Sequence, residues 1–442
     1  MRTIGKLGLL LGLGLLGAAR LANAMPLLDW SRQLGTESLD TASGVSGDTL
    51  GNVYLTGFTQ GSLAGPNAGG FDIFLARYDA LGTLGWVRQL GSSGNDQPLS
   101  VSADGLGNAY ISGWTNGSLG GPNAGSGDAF LAKYDAAGSL LWLRQYGTPS
   151  EDVSKGVSVD RLGNVYTSGY TYGSLGGPNA GQADAFVCKY DPAGNLQWTR
   201  QLGTGSGDDN GGCSADGLGN VYITGPTQGS LGGPNQGGYD VFAAKYDAGG
   251  NLLWTRQFGT PQDDGSYTLS ADALGNVFIG GVTWGSLGGP NAGDLDAFLA
   301  KYDAAGNLVW TRQFGTAAEE FLSGVSADGL GNAFVSAWTR GSLGGPNAGL
   351  TDVYLAMYGS GGDLLWAEQL GTPSYDQPSG VSAIGYGNFY VSGLTDGSLG
   401  GPNAGGLDAF VVHYAVPEPA TLTLALGGLG VLLARRKARR RG

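Results

Sequence analysis

Seven tryptophans, Trp30, Trp86, Trp142, Trp198, Trp254, Trp310 and Trp366, stand 56 residues apart. The same step relates Pro66 to Pro122 and onward to Pro402, and Asp72 to Asp128 and onward to Asp408, without an insertion or deletion. A fixed period of this size belongs to solenoids, propellers or arrays. Glycine, 86 of the 442 residues, decides between helical and β-rich copies. Each interior glycine costs a helix about 1 kcal/mol relative to alanine, so the copies are built from strands. A hydrophobic content of 41% against 13% charged residues excludes a disordered chain.

The second copy shows the unit. Four strand segments, a (99–104), b (108–115), c (128–135) and d (140–146), carry the β-branched and aromatic residues, and glycines fall at the turns between them. Four short strands suit a propeller blade, and the long Gly- and Pro-rich loop 116–127 between b and c accounts for the length of the period. A d-type segment at 27–34 precedes the first complete unit, while the last unit ends after c, near Tyr414. Pairing these two ends completes a seventh blade and leaves no open sheet edge. The expectation is an all-β, seven-bladed propeller of four-stranded blades, closed by the N-terminal strand.

The run Asp128-Ala129-Phe130-Leu131-Ala132-Lys133-Tyr134-Asp135, followed by Leu141-Trp142, and the segment Gly107-Asn108-Ala109-Tyr110-Ile111-Ser112-Gly113 resemble bacterial seven-bladed β-propeller (SBBP) repeats. That resemblance implies the fold and an exported or surface location, and no defined chemistry.

Both ends read as addresses. Residues 1–24 have the form of a signal peptide: Arg2 and Lys6, the apolar run 7–19, and the small-residue cleavage site Ala22-Asn23-Ala24. Residues 416–442 hold Pro417, Glu418 and Pro419, then the apolar run 421–434, then a tail of six Arg and Lys residues. This order resembles the PEP-CTERM sorting signal. The resemblance implies an exosortase-type processing peptidase as partner, transient anchoring in the inner membrane, release to the surface or exterior, and an exopolysaccharide-rich setting. The propeller then spans 25–415. Setting the ends aside leaves 14 basic against 35 acidic residues, a net charge of about −21, which excludes nucleic acid as a partner.

No catalytic set stands out. His413 is the one histidine, and it occupies a position held by Arg or Lys in five other copies. Cys188 and Cys213 lack zinc spacing; they are either two buried thiols or a bridge. Asp40, Asp96, Asp152, Asp208, Asp264, Glu320 and Asp376 recur in the d-to-a loop. They are either turn-shaping groups or a cation-binding ring whose oxygen ligands suit Ca²⁺. A specific ligand site belongs where the copies differ, since structural demands are equal in all seven. Variation concentrates around the b-to-c loop, where Tyr172, Trp284, Arg340, Trp114 and Trp338 are the ligand-like residues. The expected function is a non-enzymatic binding or structural module, with a polysaccharide or a surface protein as partner. The alternatives are a carboxylate-dependent polysaccharide hydrolase or lyase, for which Asp208-Asp209, Asp263-Asp264 and Glu319-Glu320 are adjacent pairs, and a calcium-dependent adhesion module.

Overall fold

Seven antiparallel four-stranded sheets form in the computed structural model, which describes residues 25–416. The leader 1–24 and the sorting residues Pro417, Glu418 and Pro419, with the run behind them, lie outside the described residues. In the second blade the strands are Asp96–Ala103, Ala109–Thr115, Asp128–Tyr134 and Leu140–Tyr146, and the other blades repeat this order every 56 residues. Among the described residues no helix is long and apolar enough to cross a membrane.

The ring closes as the sequence implies. The first strand, Leu27–Leu34, pairs antiparallel with the last, Asp408–Ala415, and the two share a sheet with 376–385 and 388–395. Chain ends that would otherwise fray are thereby tied into one blade.

Strand a differs from expectation. It begins at the acidic residue, Asp96 in the second copy, and not three residues later. A β-bulge after Pro98 shifts its register, and this break in alternation hides the strand's first half from a period-2 reading. The bulge residues, among them Ser43, Lys155, Tyr267 and Ser323, line the axial channel, so strand a is innermost. In the fourth blade strand a shortens to Gly212–Ala215. Consecutive glycines at 211 and 212 and Pro226 on the partner strand, which lacks an N–H, weaken the ladder there.

Strands b and c are almost wholly buried, and their side chains fill the spaces between blades. One such cluster joins Tyr110 and Leu131 to Val157, Val165, Phe186 and Cys188 of the next blade. Strand d supplies a second tie. The Trp86 indole N–H donates to the Ala136 carbonyl in the next blade's c–d turn at 3.1 Å, and the Arg88 Nε–H donates to the Gly138 carbonyl at 2.8 Å. The guanidinium lies 5.2 Å from the indole centre. The same staple recurs from Trp30 to Trp310.

The seventh blade has no c–d turn, because its d strand comes from the other end of the chain. This absence explains several departures from the repeat. Lys133, Lys189, Lys245 and Lys301 each donate to the next blade's c–d turn, and the sixth blade, which faces no such turn, carries Met357 instead. For the same reason Glu368 replaces the staple arginine, and it accepts a hydrogen bond from the Tyr414 hydroxyl at 3.2 Å. His413 sits between Asp29 of the closing strand (3.1 Å) and Asn388 (2.6 Å).

Candidate functional site

The acidic ring is drawn inward at the start of strand a. All seven carboxylates are fully buried, and each accepts from the backbone N–H and the hydroxyl of the residue four positions earlier. For Asp376 those distances are 2.6 and 2.7 Å, and the Thr395 hydroxyl on strand b adds a third bond at 2.5 Å. Asp96 and Asp208 accept from Thr115 and Thr227 in the same way. The carboxylates therefore shape their own blades. Burial raises the carboxyl pKa of Asp264. Among the described residues no group of three or more His, Cys, Asp or Glu is placed to hold a metal.

The variable positions give a different picture. The b–c and d–a loops emerge on one face, and there the third, fourth and fifth blades enclose a pocket of about 440 Å³. Tyr172 and Trp284 both line it, with half of each side chain exposed (50% and 46%). Tyr170, Tyr239 and Tyr267 complete an aromatic wall. Tyr170 meets Tyr172 edge to face at 5.9 Å, and its hydroxyl donates to Glu151 at 2.7 Å. Burial raises the Tyr170 and Tyr267 phenol pKa values, which keeps both as neutral donors.

The pocket's charges are engaged. The Lys155 ammonium pairs with Asp209 at 2.6 Å and lies 4.9 Å from the centre of the Tyr170 ring. The other Asp209 oxygen accepts from the Asn210 N–H at 2.7 Å. Asp263 accepts from the Tyr239 backbone N–H at 2.9 Å. Asp208-Asp209 and Asp263-Asp264 thus split between a buried, bonded residue and one held at the pocket wall, as opposite-facing neighbours on an extended segment should.

Arg340, Trp338 and Trp114 do not line this pocket. Arg340 pairs with Glu319 at 2.5 Å and covers the Trp338 ring at 5.7 Å. Trp338 stacks on Phe321, which stacks on Tyr267 at 4.9 Å, so an aromatic row runs from the pocket wall into the sixth blade. Trp114 stands on the second blade, half-buried.

Lys155 and Tyr267 escaped the sequence reading. They occupy one repeat position, which reads Ser43, Leu99, Lys155, Gly211, Tyr267, Ser323 and Ser379. A lysine and a tyrosine among mostly small residues are a visible signal, but it lies on strand a and not in the variable loops.

The two thiols are free. Burial pushes both Cys188 and Cys213 up to a pKa of about 12.

Comparison with known proteins matches the SBBP beta-propeller repeat at residues 29–64, 85–120, 141–176, 197–232 and 253–289, and the PEP-CTERM protein-sorting motif at 415–441. The chain is 28% identical over 231 residues to the regulatory protein FlaEY of Caulobacter vibrioides, a match covering 48% of this chain and 24% of that one. It is 24% identical over 280 residues to an uncharacterised WD repeat-containing protein of Acanthamoeba polyphaga mimivirus, covering 56% of this chain and 18% of the other. The matches thus span about a quarter or less of those relatives. Among solved structures, an ulvan lyase of a polysaccharide lyase family aligns over 88% of this chain and 96% of its own, with 12% identity and a TM-score of 0.48.

Proposed function

Because this chain is an SBBP β-propeller repeat protein bearing a PEP-CTERM protein-sorting motif, and is therefore exported to the surface or exterior, we propose that it serves there as a non-enzymatic glycan-binding module. A segment at 421–434 anchors it in the inner membrane until an exosortase-type peptidase releases it. The observation that carries the binding role is the pocket at Tyr172 and Trp284. Five aromatic side chains from three blades converge where the copies differ most. Ring faces half-open to solvent offer flat apolar area for the C–H faces of sugar rings, and the neutral phenols supply hydrogen bonds for hydroxyls.

The arrangement supports binding over turnover. A carboxylate pair that hydrolyses a glycosidic bond needs one free base and one free acid about 5–10 Å apart. Asp208 and Asp264 are bonded within their own blades, Asp209 is paired with Lys155, and one Asp263 oxygen accepts a backbone N–H. The pocket's one cation is neutralised, and the carboxylates around it favour uncharged or amine-bearing sugars over acidic ones.

A panel of extracellular oligosaccharides tests the proposal. Binding to at least one neutral or amino-sugar member is expected, with loss in Tyr172→Ala/Trp284→Ala. Unchanged binding by that double variant removes the pocket from the account. Shortening of any panel member that stops in Asp263→Asn replaces it with an enzymatic one.

A further inference from the structure

The face opposite the pocket carries an apolar crown. Leu50, Leu106, Leu162, Leu218, Leu274 and Leu330 stand at the tips of the a–b turns, and each is 64–81% exposed. The seventh copy has Tyr386 at this position. An outer ring surrounds the crown where strand d begins, at Leu28, Leu84, Leu140 and their counterparts, each 43–55% exposed. Repetition at a buried position reflects blade packing. A leucine open to water satisfies no packing demand, so two concentric exposed rings on one face point to a surface that is covered in use.

Charge divides the disc in the same sense. On the crown face a blade sets Asp104 and Asp135 at its turns against Lys133 and Arg144, whose head groups reach the neighbouring c–d turn. On the pocket face the corresponding Asp96 and Asp128 have no cation of their own blade beside them. The net negative charge of the body therefore lies on the pocket face, and the crown face is close to neutral.

Both ends of the propeller leave from the crown face. Val416 and Pro26 lie against Gly387, in the a–b turn of the seventh blade. The apolar run 421–434 begins five residues beyond Val416, and a chain spans at most about 3.6 Å per residue, so its start lies within about 18 Å of this face.

We propose that the leucine crown is a membrane-docking surface that rests on the bilayer interface while the chain is anchored, holding the pocket face outward. The inference rests on the anchoring reading above. A neutral face meets little repulsion from anionic lipid, and apolar tips gain from partial burial at the headgroup boundary.

The test uses the full chain in phosphatidylcholine vesicles, with and without phosphatidylglycerol. A fluorophore is attached at Leu106→Cys on the crown or at Asn116→Cys on the pocket face, and is quenched by nitroxide-bearing lipid. The expected result is flotation with the vesicles and quenching several-fold stronger at 106 than at 116, little changed by salt. Leu50→Ser/Leu162→Ser/Leu218→Ser still floats, but the excess quenching at 106 falls. Flotation with equal quenching at the two sites overturns the docking surface and leaves anchoring intact. Absence of flotation overturns anchoring and this inference together. Crown-to-crown dimers in lipid-free solution, persisting on vesicles, identify a second copy as the occupant and overturn the lipid assignment.

Discussion

Trp30→Ala tests ring closure. Trp30 belongs to the strand that completes the seventh blade, yet its indole N–H donates to the Ala80 carbonyl of the first blade at 3.0 Å. The ring packs among Tyr78, Tyr390 and His413 at 5.4–6.4 Å and is only 8% exposed. Truncating a buried aromatic to alanine costs about 3–5 kcal/mol once the cavity is included. The orphaned carbonyl adds about 1 kcal/mol, and the lost cover of the Arg32 guanidinium about 0.5 kcal/mol. Partial collapse of the site offsets some of this, leaving about 4 kcal/mol. Trp142 is the internal control. It holds the same repeat position, is only partly buried, and makes a longer bond of 3.4 Å to the Pro192 carbonyl. Less of its apolar surface is buried than that of Trp30, and its bond is longer, so Trp142→Ala should cost less, about 2 kcal/mol. Guanidinium unfolding followed by far-UV circular dichroism measures both. The expected result is a midpoint drop for Trp30→Ala about twice that for Trp142→Ala, with an added early phase as the seam opens. Equal drops, or a loss below about 1 kcal/mol for Trp30→Ala, would refute the reasoning that the two chain ends are locked through this residue.

Three further outcomes follow from the site and its surroundings. Asp209→Asn frees the Lys155 ammonium from its 2.6 Å partner, so the glycan preference shifts toward acidic sugars in a binding panel. With both thiols raised to about 12 and buried in whole or part, Cys188 and Cys213 should resist a thiol reagent at pH 8 and react fully only in denaturant. Burial lowers the His413 pKa against the weaker pull of Asp29, so the fold holds the neutral ring. Its contribution is complete above about pH 6.5, the unfolded value, and is lost as pH falls through the lower folded value. His413→Gln should flatten that part of the stability–pH curve.

The fold was legible because one unit is written seven times. Strand d was placed to the residue at 140–146, and the missing seventh d strand located the closure. Strand a was read late because its bulge breaks the alternation that marks a strand, and because Asp96 bonds Ser92 as a turn residue would. The departures Met357, Glu368 and His413 had no evident cause in the sequence. Met357 and Glu368 answer to the absent c–d turn of the last blade, and His413 to Asp29 on the closing strand and to Asn388, arrangements that only the closed ring makes visible. The site was half legible. Tyr172 and Trp284 stand out as departures from the repeat, and both line the candidate pocket, while the place of Lys155 and Tyr267 in it depends on the bulge that turns strand a toward the channel mouth. Arg340 looked like a free binding residue, but Glu319 twenty-one positions away holds it.

Seven near-identical blades could each offer the same weak site, or the differences among them could create one. Calorimetric titration with an oligosaccharide that binds separates the two most directly. A single site built from the differences predicts one equivalent per chain, with the sugar recovered intact and the heat abolished in Tyr172→Ala/Trp284→Ala. Seven equivalents, or a sugar recovered shortened or unsaturated, would contradict it.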